Sequence, residues 1–318
     1  MTHSQHFNFY ICSCVPDGGI YLCEMDESGK VEIKEFTPLD RPMYAVKDDD
    51  KLYVLLRAPF ENSAESGLVS FDIGAEGELL NPSEIVSTKG EVACHLCVDG
   101  ESVYAVNYIS GSVSKCGEKT VCHSGVGPNL PRQDGPHTHY VSLTPDGEYL
   151  LATDLGLDSV FTYDKELNLQ NVSKVPEGHG VRHLAFSDDG KICFAVNELA
   201  STVSAFEYCD GKLSLIDTAS CIPESFDGET TAAAIRYNNG EVFVSNRGHD
   251  SVAVLEFKEG KLSLKNIFSC GGNGPRDFDL IGDYTVSTNE KSDSVTVIKN
   301  EKVVSELCIK SPICVTKI

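Results

Sequence analysis

Residues Arg182 to Val203 read RHLAFSDDGKICFAVNELASTV: an apolar run, an Asp-Asp-Gly turn, a second apolar run ending in Asn, a small polar step, then Thr-Val. Runs of about four to six apolar residues joined by Asp-Gly are too short for helices and carry the turn chemistry of tight antiparallel hairpins. The pattern recurs on both sides. Before it stand CHLCVDGESVYAVNYISGSV (Cys94 to Val113) and HYVSLTPDGEYLLATDLGLDSV (His139 to Val160); after it stand AAIRYNNGEVFVSNRGHDSV (Ala233 to Val252) and RDFDLIGDYTVSTNEKSDSV (Arg276 to Val295). A more degraded copy, MYAVKDDDKLYVLLRAP, runs from Met43 to Pro59.

The closing valines at 113, 160, 203, 252 and 295 are 47, 43, 49 and 43 residues apart. A period of roughly 40 to 50 residues with about four strands per unit is the signature of a β-propeller. Six copies are visible, and the material left over lies at the two ends: SPICVTKI (Ser311 to Ile318) and FNFYICSC (Phe7 to Cys14) with IYLCEMDESGKVEIKEF (Ile20 to Phe36). Joined, these make a seventh blade whose innermost strand comes from the C-terminus. The expectation is therefore an all-β, seven-bladed propeller over residues 1–318 as one domain, closed by terminal strands sharing a blade; a six-bladed ring is the alternative.

Composition narrows the function classes. The chain has 318 residues, is 41% hydrophobic and 23% charged, and carries a formal net charge of -22. Such an acidic balance opposes nucleic acid and anionic membranes, whose recognition rests on Lys and Arg. No apolar stretch approaches a membrane span, and Met1 to Tyr10 lacks the order of a signal peptide, so a cytosolic protein is expected. The 13 cysteines fall mostly inside apolar runs and read as reduced core residues. Cys94 and Cys97, three apart in a strand, should diverge rather than share a metal. The absence of Trp disfavours the Trp-Asp repeat type of propeller.

In a propeller the first strand of each blade runs from one mouth of the channel to the other and the second returns. The starts of first strands (His95, His137, His139, Arg182, His183, Arg276) and the ends of second strands (Asn107, Asp154, Asn197, Glu198, Asn246, Arg247, Asn289, Glu290) therefore share one mouth, where a pocket is expected. The plainer alternative for the strand-ending Asn and Asp residues is turn formation. Arg182, Glu198, Arg247 and His139 are harder to explain so, because a channel-facing charge is costly unless it is paired or used.

At these residues the sequence resembles the seven-bladed lactonase family, which includes bacterial 6-phosphogluconolactonases of the propeller type and fungal 3-carboxy-cis,cis-muconate lactonizing enzymes. The matching segments are GVGPNLPRQDGPHTH (Gly125 to His139), GVRHLAFSDDGK (Gly180 to Lys191), AVNELASTVSAFEY (Ala195 to Tyr208), VSNRGHDSVAV (Val244 to Val254) and GPRDF (Gly274 to Phe278). The resemblance implies a metal-independent, cofactor-free lactone hydrolase of carbohydrate metabolism acting on a small anionic lactone, 6-phospho-D-glucono-1,5-lactone before others. A carboxymuconate-type cycloisomerase and a non-enzymatic binding propeller are the alternatives. It further implies catalytic roles for His139 (or His137), Arg182, Glu198 and Arg247, with Glu198 in general acid/base work and the arginines polarising the carbonyl and binding the anion. Arg132, Gln133, His137, His183, Asn197 and Arg276 would position the substrate.

Overall fold

The computed structural model describes residues 6–318. Seven antiparallel sheets stand in a ring, numbered here as blades in chain order. Blade 1 is built from Phe7–Ser13, Gly19–Met25 and Val31–Pro38, with Pro312–Lys317 as its innermost strand. Blades 2 to 7 open with the inner strands Pro42–Asp48, Ala93–Asp99, Thr138–Leu143, Val181–Phe186, Thr231–Asn238 and Pro275–Ile281. Each of these seven inner strands contacts the next, and Pro312–Lys317 touches both Pro275–Ile281 and Pro42–Asp48. The ring is therefore seven-bladed and is closed by the two termini in one sheet. Blade 2 departs from the pattern because its outer strand is broken into Leu79–Leu80 and Val86–Glu91, which pair with opposite ends of Glu65–Ile73.

The core is divided into seven parts, one between each pair of neighbouring blades. Phe9 and Ile11 pack against blade 7, whereas Tyr10 and Cys12, on the other face of the same strand, pack against blade 2. Burial of both faces explains why the inner strands read as unbroken apolar runs rather than as a clean alternation.

The polar parts of the repeat stitch the blades together. Asn107, Asn197 and Asn289 each donate through Nδ2 to Ser or Thr hydroxyls on their own third strand; Asn197 reaches Thr202 Oγ1 at 3.0 Å and Ser204 Oγ at 2.9 Å. The residue before each Ser/Thr-Val is left-handed: Asp158, Ser201, Asp250 and Asp293 have φ of 49°, 48°, 53° and 52°. From that turn the Asp carboxylates accept the N–H groups of the chain arriving at the next blade: Gly180 at 2.7 Å, Gly274 at 2.8 Å and Ser311 at 2.8 Å.

Ring closure has its own latch. Asp277, buried in blade 7, accepts the Val315 N–H at 3.1 Å through Oδ2 and Arg236 Nη2 of blade 6 at 2.8 Å through Oδ1. Asp277→Ala would take from the closing strand its side-chain acceptor and leave Arg236 with Asp279, at 3.7 Å, as its only carboxylate partner. The expected cost is about 3 kcal/mol of unfolding free energy; a urea midpoint equal to that of the parent protein would show that Asp277 does not hold the ring.

Candidate active site

The site begins with a recurring irregularity in the inner strands. Where each first strand enters the ring, its pairing with the second strand shifts register: Met43, Cys94, His139, Arg182, Arg276 and Ile313 are each skipped, and in blade 6 the shift falls between Ala232 and Ile235. A β-bulge re-aims the side chain of its extra residue. Here these six side chains converge on the channel, where all of them line one narrow pocket of about 10 Å3. Above it opens a cavity of about 270 Å3, lined by Cys94, His139 and Arg276 from the same ring, by Arg57, Tyr108, Glu198 and Arg247 from the ends of second strands, and by Val92, Ile109 and Arg132.

Glu198 is the electrostatic centre. Its Oε1 lies 2.5 Å from Arg132 Nη2, and its Oε2 lies 2.9 Å from Arg247 Nη2 and 3.1 Å from Arg182 Nε. Burial would push its carboxyl up, but Arg247, then Arg182, His139 and Arg132, hold it well below the usual carboxylate range. Its main chain is fixed as well, the N–H donating to Gly180 O at 2.7 Å and the C=O accepting from Ala232 at 3.1 Å. Gly180 has φ of 67°, and a Cβ there would stand 2.6 Å from Leu199 Cγ, so the chain entering Arg182 needs glycine at this point.

The arginines are only partly consumed by this carboxylate. Arg182 donates through Nη1 to Ala233 O at 2.7 Å and toward His183 Nε2 at 3.2 Å, and Arg247 donates through Nη2 to Ala232 O at 3.0 Å. Both Nε–H groups are buried without a hydrogen-bond acceptor; Arg182 Nε is close to Glu198 Oε2 but out of line with it. His139 sits with Nδ1 3.8 Å from the Cys94 thiol. Burial, then the nearby Arg182, drives its imidazole well below its ordinary value, so it is neutral at physiological pH. Burial likewise pushes the Cys94 thiol up to about 12, leaving it protonated.

Of the residues expected from sequence, His139, Arg132, Glu198, Arg247 and Arg276 line the cavity, and Arg182 and His183 line the narrow pocket beneath. Gln133, His137 and Asn197 line neither. Gln133 is buried and braces the 123–137 loop, donating to Leu155 O and Asp158 Oδ1, both at 2.8 Å, and accepting from Asn129 N at 2.9 Å. The His137 ring stacks on Tyr108 at 4.6 Å and faces Tyr108 O and Asp134. Asn197 is engaged in the interstrand bonds described above. Sequence reading missed Arg57, Tyr108 and Cys94. Arg57 and Tyr108 occupy the same column of the repeat as Glu198 and Arg247, one place beyond the end residue of the second strand, and that column was the available signal.

His95, expected at this mouth, faces the other way. Its ring packs against Tyr44 and Tyr140 at 4.3 and 4.2 Å, and His183 joins them at 5.3 Å from His95. These four rings plug the channel and separate the site from a larger, 620 Å3 cavity at the opposite mouth. That larger cavity contains Arg236, Asp279 and Lys317, which are paired among themselves and with Asp277. Cys97 lines the far cavity while Cys94 lines the near one, as divergence along a strand requires. All 13 cysteines are free thiols, and among the described residues no three His, Cys, Asp or Glu side chains gather as a metal-ligand group.

A sequence profile described as "Lactonase, 7-bladed beta-propeller" matches residues 8–315. The chain belongs to the seven-bladed β-propeller lactonase family. An uncharacterized protein of Staphylococcus aureus is 32% identical over 317 residues, covering 92% of this chain and 91% of that protein. Among solved structures, a Lactobacillus plantarum protein superimposes with a TM-score of 0.88 at 28% identity, over 99% of this chain and 100% of that one. The Pseudomonas aeruginosa periplasmic gluconolactonase shares the fold with a TM-score of 0.90 at 24% identity, over 99% of both chains. In this chain no helix among the described residues is long and apolar enough to cross a membrane.

The cage predicts a selective response to anions. Glu198→Ala leaves buried guanidinium groups without their counter-charge and should cost about 3 kcal/mol. Added inorganic phosphate should then raise the melting temperature of the variant by more than it raises that of the parent. Equal shifts would mean that the three arginines do not depend on Glu198.

Proposed function

We propose that the cavity opens the ring of a small anionic lactone, with 6-phospho-D-glucono-1,5-lactone the first candidate. The observation that carries this reading is the pair of buried, acceptor-free Nε–H groups on Arg182 and Arg247 beside a neutral imidazole. Ester hydrolysis needs donors fixed where the carbonyl oxygen gains charge, and a base for the attacking water. The two guanidinium groups supply the donors. Donors already oriented by Glu198, Ala232 O and Ala233 O need no reorganisation as the oxyanion forms.

The base is assigned to His139. Glu198 is held too far below the usual range to take a proton readily; it instead orients three arginines and offsets the positive charge that His139 acquires. Water gives its proton to His139 as its oxygen attacks the carbonyl carbon. The proton then passes to the ring oxygen as the C–O bond breaks, leaving the hydroxy acid. The surplus of guanidinium groups over carboxylates in the lining favours an anionic substrate, since such forks match carboxylate and phosphate. Free thiols throughout the chain fit the reducing cytosol better than an oxidising compartment.

A second reading, carboxymuconate-type cycloisomerisation, is favoured by one observation: apart from His139 and Glu198, the polar side chains of the lining are almost all donors, which suits a hydroxyl-poor tricarboxylate. Purified protein assayed on freshly generated 6-phosphogluconolactone, and separately by ultraviolet absorbance on the muconate, distinguishes the two. Hydrolysis no faster than the buffer blank sinks the first.

If hydrolysis is found, Arg182→Ala should lower kcat by about 10^2- to 10^3-fold. The pH profile is a sharper check. His139 must be neutral to act, and its proton affinity is depressed, so activity is lost only as pH falls through that low value. kcat/KM should therefore be flat from about pH 6 to about pH 8, and an inflection near the ordinary imidazole value of about 6.5 would remove His139 as the base.

A further inference from the structure

The five arginines at this mouth fall into two groups. Arg132, Arg182 and Arg247 surround Glu198 at the end of the second strand of blade 5, Ile192–Asn197. Arg57 and Arg276 belong to blades 2 and 7, the two neighbours of blade 1, which lies across the ring from blade 5. Arg276 keeps only a 3.4 Å contact with Glu290 Oε2. Arg57 has a fixed main chain, its N–H donating to Arg41 O at 3.2 Å and its C=O accepting from Ser66 Oγ at 2.7 Å. Its guanidinium, by contrast, has no hydrogen-bonding or ion-pair partner among the described residues, although it lines the cavity. Both also act on the Cys14 thiol, which burial pushes up and which Arg57 first, then Arg276, pull back.

We propose that Arg57, with Arg276, forms a second anion subsite that holds a charged substituent of the lactone remote from its reacting carbonyl, a compact oxyanion such as phosphate or carboxylate. The assignment rests on the lactonase reading for the identity of the ligand, but the subsite is testable without turnover. Glu198 is the only carboxylate in the lining and is already shared by three arginines, so the remaining positive charge of the cavity lies with this pair. Arg57 is exposed at the mouth, so its free donors meet an oxyanion at the cost of ordering the side chain, a cost that the planar fork spreads over more than one hydrogen bond. Such a residue determines which lactones are accepted without touching the bond that breaks.

The test uses three open-chain acids that are identical at C1 and differ at C6: gluconate with a hydroxyl, 6-phosphogluconate with a phosphate and glucarate with a carboxylate. Isothermal titration of the parent protein should show 6-phosphogluconate, glucarate or both binding about 10- to 100-fold tighter than gluconate, the worth of one or two charge-assisted hydrogen bonds. The stronger of the two identifies the substituent. Arg57→Gln should abolish that preference, and Arg57→Lys should restore part of it. The preference should persist at 0.5 M salt, because a contact survives screening that long-range attraction does not.

Three results overturn the subsite: no preference over gluconate in the parent, a preference unchanged in Arg57→Gln, or a preference that vanishes at high salt and so reflects only steering at the rim. Failure of the lactone assays with the binding preference intact would count against hydrolysis and leave the subsite standing.

Discussion

The rest of this molecule depends on closure of a ring whose blades share their cores. Each inner strand buries both faces, and each of the seven apolar clusters is shared between two blades, so no sheet owns a core of its own. Closure by Pro312–Lys317 joins residues about 300 positions apart in sequence, and the loop entropy this costs is regained only when two interfaces form at once. The polar stitching follows from the same demand. Asp158, Asp250 and Asp293 fix the angle at which the chain passes from one blade to the next, and Asp277 holds the last strand in register.

The same geometry makes the site. Seven strands entering a common mouth would place seven similar positions around it, and the bulge at each entrance turns a side chain that would otherwise pack between blades toward the axis. The repeat thus supplies a circle of equivalent positions, and the residues chosen for them decide the chemistry. Basic and imidazole side chains fill the positions on blades 4, 5 and 7, Met43, Cys94 and Ile313 leave those on blades 2, 3 and 1 apolar, and Arg57 and Arg247 add charge from the ends of the second strands of blades 2 and 6. A protein with a formal charge of -22 thereby presents a positive interior. Apart from the buried Asp154, Asp158, Asp277 and Asp279, its other acids are at least partly exposed, and Glu198 is the one carboxylate that lines the cavity.

The fold was legible because the repeat is written in short-range chemistry: Asp-Gly turns, strand-length apolar runs and a fixed period. Even the closing strand could be read, since SPICVTKI is an unpaired strand pattern that only the N-terminal blade could use. Within the site, charges that interrupt apolar strands were visible, which is why Arg182, Glu198 and Arg247 stood out. Asn197 looked like its charged neighbour in sequence but belongs to the column of asparagines that hold strand to strand. Gln133 and His137 lie in an irregular loop, where no periodicity says which side chains point inward. Arg57 sits in the copy that fits the template least well, and Cys94 passed for core because a bulge, unlike a turn, has no composition of its own. His95 was misplaced for a related reason: it follows the bulged residue, so it points down the channel instead of toward the mouth.

The plug of Tyr44, His95, Tyr140 and His183 turns what could have been a tunnel into a blind well. Whatever enters by the arginine-lined mouth must leave by it. On the proposed reading, substrate and product use the same door in turn, and a hydroxy acid that bears its parent lactone's charge and a new carboxylate competes for the same guanidinium groups. On that reading, turnover is governed as much by letting go of an anion as by attacking it, which sets a ceiling on how tightly the mouth can hold its ligand.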